Sequence, residues 1–381
     1  MTDTLYKEDG VDVPEGDDFS KYAALECAKT HGNSPFLEVH DFSRGHFRGP
    51  RGVELKNLPQ RWYLDVAPDG IGTKVGVITA AFSQLTAGRD VLAMTCGDIS
   101  RWGGIPLFFS SVLDTATLGK AGDPTNKAFQ QTIAGLVQAA NEQGIVLYKG
   151  ETAELQNYVG SDDPDAITKF NWAGFAVGLY DPTRIITGDS VKPGQTVVAL
   201  REFGLRSNGY SSARAALRIQ FGEQWWLNPE AQVAIIAAAK PSVLYDKFLA
   251  FTNGWFNPNF HRDLQIHLIA HITGGGIKSK FAEDILFPRG LSATLYDLWE
   301  PPEIMKACAH WRGMDDEECY ATWNGGQGML LVVDDADAEA VQMIAKEFGI
   351  QAKSCGQITE HSTPHLAIKS RFGSGTVLYN A

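Results

Sequence analysis

Cysteine is scarce and unpaired in this chain. The five residues, Cys27, Cys96, Cys308, Cys319 and Cys355, are odd in number, scattered, and form no Cys-x-x-Cys. That spacing excludes a disulfide framework and a structural zinc site, and it points to a reducing, cytoplasmic setting. Long apolar runs are also missing. Ala231 to Ala239 is far too short to cross a bilayer, so no membrane partner is expected. Met1 to Gly10 shows no basic stretch followed by an apolar one, so no signal peptide is expected. Basic charge is in deficit, with 33 Lys and Arg against 45 Asp and Glu, a net charge of −12. General nucleic-acid binding needs a basic surface and is excluded. A small phosphorylated ligand is not, because one pocket can be positive on an acidic protein. No short-period repeat or low-complexity tract occurs.

What is present is ample material for buried cores: 381 residues, 44% of them hydrophobic. That length suggests two domains. The first sixty residues read as irregular. From Trp62 the pattern becomes orderly, with strands over Trp62–Val66, Leu107–Leu113, Ile145–Tyr148 and Trp172–Tyr180. Helices are expected over Val75–Leu85, Arg89–Cys96 and Asn126–Gln143, the last stopped by Gly144. Asp181-Pro182 and the Gly/Pro-rich stretch after it break the pattern, so the domains are expected at 1–182 and 183–381. The second half repeats the mixture. Strands are expected over Thr196–Leu200, Ile266–Ile272 and Gly328–Val333, and helices over Ser211–Gln220, Pro229–Lys240 and Ala336–Phe348. The fold class is α+β (mixed α/β).

Four segments place acids, glycines and hydroxyls at expected strand ends, where ligands of such proteins usually sit. In Asp65-Val-Ala-Pro-Asp69-Gly70-Ile-Gly72-Thr73-Lys74 the glycines permit close backbone approach, Asp69 suits a hard cation and Lys74 a phosphate. The spacing is not that of a P-loop, and an ordinary Asp-Gly turn explains these residues as well. Cys96-Gly97-Asp98 ends an apolar helix on an acid. Lys149-Gly150-Glu151-Thr-Ala-Glu154 follows a strand and reads as a helix turn with two carboxylates on one side. Asp69, Asp98 and Glu151 together would suit magnesium. The helix dipole accounts for Glu154 without any ligand. In the second half stand Arg206-Ser207-Asn208-Gly209-Tyr210 and His267-Leu-Ile-Ala-His271-Ile-Thr273-Gly-Gly-Gly276. The glycine turn can aim N–H groups at a phosphate. His267 and His271 lack the glutamate and third ligand of a zinc protease, and either reads equally as a packed histidine.

In this order the segments resemble the aminoimidazole ribonucleotide synthetase (phosphoribosylformylglycinamidine cyclo-ligase) family over nearly the whole chain. The resemblance rests on Tyr6-Lys-Glu-Asp-Gly-Val-Asp12, Asp69-Gly-Ile-Gly-Thr-Lys74, Gly150-Glu-Thr-Ala-Glu154, Ser207-Asn-Gly-Tyr210, Ala270-His-Ile-Thr-Gly-Gly-Gly276 and Asn324-Gly-Gly-Gln-Gly-Met329. It implies a homodimer whose N-terminal sheets pair into a barrel, with ATP and Mg2+ acting on a phosphorylated ribonucleotide. ATP would phosphorylate the amide oxygen of formylglycinamidine ribonucleotide, and a nitrogen of the same molecule would then close the imidazole ring. By that resemblance Asp69, Asp98 and Glu151 position metal and phosphates. Gly70, Gly72, Thr73, Lys74 and Gly150 hold the nucleotide. Asn208 and His271 lie near the amidine, with His271 a proton-transfer group. Another ATP-dependent superfamily member with a different substrate, or a non-catalytic nucleotide-binding dimer, stays open.

The chain also departs from the family pattern. Arg206 stands where a His usually precedes Ser-Asn-Gly-Tyr, and Gly97 replaces an Asn. Lys149 replaces a Gly, and Gly45-His-Phe-Arg-Gly-Pro-Arg-Gly52 replaces a Gly-Gly-Phe-Gly-type loop. Arginine stays charged and cannot serve as a base, so Arg206 is expected to clamp an anion, a phosphate by preference over a salt bridge to an acid such as Glu202.

Overall fold

Alternation sets the first sheet. In β6 (Phe170–Tyr180) Phe170, Trp172, Gly174, Ala176 and Gly178 turn inward and are buried, while Asn171 and Phe175 are exposed. The computed structural model, which describes residues 13–42 and 50–381, pairs this strand centrally. The order is β3 (Tyr63–Gly70), β6, β4 (Ile105–Thr115), β5 (Val146–Glu154), antiparallel except for β4 and β5. Helices α1 (Val13–Ala28), α3 (Gln84–Ser100) and α4 (Pro124–Gln143) cover its inner face around Phe109, Phe129, Trp172 and Ile133. The short α2 (Lys74–Ala80) precedes α3, and Phe82 turns the chain between them with a φ of 52°. The single helix expected over Val75–Leu85 is therefore broken. Helix α4 ends where expected, on Gly144 in the left-handed region at φ 75°.

The second sheet has seven strands, in the order β13 (Thr376–Asn380), β12 (His365–Lys369), β9 (Ser292–Leu295), β11 (Ala352–Thr359), β7 (Thr196–Arg201), β10 (Gln327–Val333), β8 (Ile266–His271). Every residue of β8 and β10 is buried, as befits strands packed on both faces. One face meets a π-helix (Lys278–Leu286), the other α7 (Asp246–Thr252) and α10 (Ala338–Glu347). Helices α5 (Tyr210–Phe221), α6 (Gln232–Ala238) and α8 (Glu303–Arg312) enclose Trp225, with α9 (Asp316–Thr322) beside them.

The two sheets do not have separate cores. Val77 of α2 joins the Trp225 cluster, and Ala250 of α7 and Trp255 pack with Ile105 and Leu179 of the first sheet. The start of the chain also gave more order than its composition suggested: α1, and a hairpin of β1 (Leu37–Asp41) with β2 (Arg51–Leu55). The Tyr6–Asp12 motif and residues 43–49, most of the basic loop, lie outside the described residues. Among the described residues no helix is long and apolar enough to cross a membrane.

One expectation about β5 is overturned. The Lys149–Glu154 segment is not a helix turn but the end of that strand, because β4 supplies a ladder partner as far as Thr115↔Glu154. Residues three apart on a strand face opposite ways, so Glu151 and Glu154 do not act together. Glu154 instead accepts the Leu118 N–H at 2.6 Å and the Thr117 hydroxyl at 3.2 Å.

Helices α3 and α4 cross at two glycines. A Cβ on Gly135 would sit 1.7 Å from the Leu85 carbonyl oxygen, and one on Gly88 2.3 Å from the Leu136 nitrogen, both rigid backbone. Gly135→Ala is predicted to destabilise the fold by more than roughly 3 kcal/mol, the upper range for overpacking. Gly160→Ala, facing open space, is the control. Urea unfolding checks both, and equal midpoints would refute the close crossing.

Candidate active site

Strand β3 delivers Asp69 to the inner side of the first sheet, where the C-terminal end of α3 brings Asp98. Asp69 is half-buried and its Oδ1 takes its own Gly70 N–H at 2.7 Å. Burial, with the negative charge of Asp98 nearby, raises its carboxyl above the ordinary range. Asp98 keeps 40% of its side chain exposed. Burial pushes its carboxyl up, but the His271 hydrogen bond at 3.3 Å and the charges of Arg101 and Lys280 outweigh it and hold it below the ordinary range. Two carboxylates, one raised by the other, are an arrangement that a divalent cation would relieve.

The rest of the cleft comes from turns. After β3, Gly72 and Thr73 are exposed, and Gly72 passes close to the Ser207 carbonyl. Asn208 ties the 206–209 turn to both neighbours: its Nδ2 donates to Met94 Sδ of α3 at 3.6 Å, and its Oδ1 lies against Gly274. The Gly274–Gly276 turn leads into the π-helix, whose Lys280 faces Asp98. Asp69 thus lies near Asp98, the Gly72 turn near Ser207, and Asn208 near both Met94 and Gly274, which sets these segments side by side between the sheets.

Five expectations are corrected. Lys74 does not reach a phosphate. It is wholly buried, its Nζ donating to Asp90 Oδ1 at 2.7 Å and to the Lys240 carbonyl at 2.8 Å. Asp90 also accepts the Ser242 N–H and hydroxyl, so the pair bolts α3 to the second half of the chain. Arg206 is likewise buried. It donates to Glu202 Oε2 at 2.9 Å, to the Val243 and Ala93 carbonyls, and to His271 Nε2 at 2.9 Å. Its anion is the Glu202 carboxylate, in a buried rather than a surface pair, and no donor is left for a substrate phosphate on either Nη.

His271 has no exposed surface, and both ring nitrogens are engaged, by Asp98 and by Arg206. Burial draws its pKa down to about 4. As placed here, the ring has no free nitrogen to offer a substrate. Glu151 leaves the carboxylate group altogether. It stands in register with Val112, and through Ala173 with Gly70, on the face opposite Asp69 and on the far edge strand. Gly150 shares the register row of Asp69 but is three strand spacings away, roughly 14 Å at the usual 4.8 Å. Among the described residues the three-group cluster compact enough for one ion is Glu38, His40 and Glu54 on the β1–β2 ribbon, not the acids of the cleft.

Sequence reasoning missed Arg101 and Lys280, the positive groups around Asp98, and Asp90, the partner of Lys74. Asp90 carried the same signal that singled out Asp98, an acid inside an apolar helix.

The profile described as AIR synthase related protein, N-terminal domain, matches residues 55–179, and that of the C-terminal domain matches 192–369. The chain belongs to the AIR synthase related family. It is 31% identical to the phosphoribosylformylglycinamidine cyclo-ligase of Syntrophotalea carbinolica over 345 residues, 89% of each chain. It is 29% identical to that of Oceanobacillus iheyensis over 375 residues, 96% of this chain and 99% of the relative. In fold it is similar to the hydrogenase maturation protein HypE, solved in complex with ATP, with a TM-score of 0.53 and 14% identity over 86% of each chain.

The burial of Lys74 gives a discriminating test. Lys74→Met leaves Asp90 charged and unpaired, so stability is predicted to fall by about 3–5 kcal/mol. The folded fraction should keep its nucleotide affinity. Unchanged stability with lost affinity, measured by chemical unfolding and calorimetry, would return Lys74 to the phosphate.

Proposed function

We propose that this chain is an ATP-dependent cyclo-ligase that converts formylglycinamidine ribonucleotide to aminoimidazole ribonucleotide through an iminophosphate. The observation that carries the reading is the convergence of Asp69 and Asp98 beside the exposed Gly72–Thr73 turn, in a chain similar to cyclo-ligases over about nine-tenths of its length. Amide oxygen is a poor leaving group and phosphorylation makes it a good one, so the protein's task is to place phosphates and neutralise charge.

The donor set fits magnesium, which takes one or two carboxylates and leaves its other positions to water and phosphate. Asp69 and Asp98 would hold it. Bound there, it would neutralise phosphate charge during transfer. Gly70, Gly72 and Thr73 offer backbone to the nucleotide. Arg101 and Lys280 bring positive charge to the same mouth of the cleft. Asn208, held between α3 and Gly274, is placed to meet the amidine. Five free thiols suit a cytoplasmic enzyme.

The reading includes a homodimer. The outer face of the first sheet carries Val66, Pro68, Phe108, Val112, Phe175 and Val177, and among the described residues no element covers Val66 and Phe175, which are 47% and 41% exposed. Strand β3 is one edge of the sheet; β5 is the other, its start met by Thr30 and Arg51 at Leu147 and Tyr148 and its later residues available for pairing. A second copy of this sheet, closing a barrel, would cover the face and bring Glu151 against the partner.

Product analysis with ATP and formylglycinamidine ribonucleotide is expected to give ADP, phosphate and aminoimidazole ribonucleotide; ATP turnover without ring closure would sink the assignment. Asp69→Asn and Asp98→Asn are each predicted to weaken Mg-ATP binding by about tenfold or more, about 1.4 kcal/mol. Calorimetry showing both variants equal to the parent would remove the metal role. Sedimentation at micromolar concentration should show a dimer, and Phe175→Glu should shift it to monomer.

A further inference from the structure

Arg206 sits at a backbone φ of 58°, in the left-handed region that a non-glycine residue adopts at a cost of order 1 kcal/mol. Such a conformation persists when its surroundings over-determine it, and here the guanidinium contacts do so. The direction of those contacts is informative. A guanidinium has donors only, so the 2.9 Å contact from Nη2 obliges His271 Nε2 to accept. An imidazolium, or the Nε2–H tautomer, would set N–H against N–H. The ring proton therefore stands on Nδ1, and Nδ1 faces Asp98 Oδ1 at 3.3 Å. Donation runs one way, from Arg206 to His271 to Asp98.

The ring has no freedom to leave this line. A Cβ on Gly97 would lie 2.6 Å from His271 Cε1 and 3.0 Å from both ring nitrogens, so the imidazole rests directly on the α3 backbone. At the far end, Glu202 and the Val243 carbonyl fix Nη1, and the Ala93 carbonyl takes a second bond from Nη2.

We propose that Arg206 is a positioning residue: with Gly97 as the seat of the ring, it selects the Nδ1–H tautomer of His271, which binds one oxygen of Asp98 and leaves the other to the cleft. The consequence for the cleft rests on the reading of Asp98 as a magnesium ligand; the tautomer does not.

The test is a long-range 1H–15N correlation spectrum of 15N-histidine-labelled protein, with His271 assigned by the signals lost in His271→Gln. The parent is expected to show His271 as the Nδ1–H tautomer. Arg206→Met should release it to the Nε2–H form or to a mixture, and Arg206→Lys, which keeps a donor, should restore Nδ1–H. Arg206→Met leaves Glu202 buried and unpaired, so Glu202→Gln with Arg206→Met serves where the single variant does not fold. In calorimetry the Kd for Mg-ATP should rise about tenfold in the Met variant and less than about threefold in the Lys variant, roughly 1.4 and 0.6 kcal/mol. A parent His271 in the Nε2–H or doubly protonated form, or a tautomer indifferent to Arg206→Met, overturns the proposal. These spectra need no substrate, so they stand apart from any failure of the cyclo-ligase assay.

Discussion

A guanidinium shut away from water must find acceptors within the protein, and at Arg206 the acceptors come from both halves of the chain. Glu202, Val243 and His271 belong to the second half, and the Ala93 carbonyl belongs to α3 of the first. Removing either charged partner strands the other in a low-dielectric interior, so the arrangement is held at high cost of rupture even where its net stabilisation is small. Lys74, Asp90 and Ser242 repeat the device within one turn of α3. With both in place α3 cannot slide against the second sheet. The separation of Asp69 and Asp98 from the glycine turn, on which the cleft depends, is fixed by these buried charges rather than by the loops that line it.

Much of the scaffold was legible because it depends on local pattern. The inward alternation of Phe170–Tyr180 and the stop at Gly144 need no knowledge of neighbours. Asp69 and Asp98 stood out because an acid at the end of an apolar strand or helix is costly unless it is exposed or bound, and the fold brings the two near each other. The failures share one cause, which is that burial is a tertiary property. Lys74 and Arg206 sit in glycine-rich segments that look like phosphate loops, yet both side chains turn inward to an acid elsewhere in the chain. Asp90 is sixteen residues from Lys74, and nothing in composition marks it as the partner; Glu202, four residues from Arg206, was named as the alternative to a phosphate, but its burial was not legible. Glu151 failed differently. Its strand continues only because β4 runs alongside, and a one-residue step on a strand moves a side chain to the other face.

Two departures from the family pattern that looked independent prove to meet at one ring. Arg206 approaches His271 from Nε2, and Gly97 lies under Cε1. A side chain at position 97 would displace the imidazole from the path between Arg206 and Asp98. A shorter residue at 206 would leave Nε2 without its donor. The small residue and the long one therefore depend on each other, and each makes sense only with the other present.

The overall charge of −12 is a poor guide to what this cleft attracts. Charges beyond about 8 Å are largely screened at physiological ionic strength. Close to Asp98 the positive groups are Arg101 and Lys280, and on the proposed reading these, with the backbone of the Gly274–Gly276 turn, are what a phosphate would meet. On the proposed reading Asp69 and Asp98 would oppose it there until a cation intervened, and the site would favour a metal-bound nucleotide over a bare anion. An acidic surface and a phosphate-binding cleft are compatible because the discrimination is made within one Debye length, by groups whose positions the buried ion pairs hold.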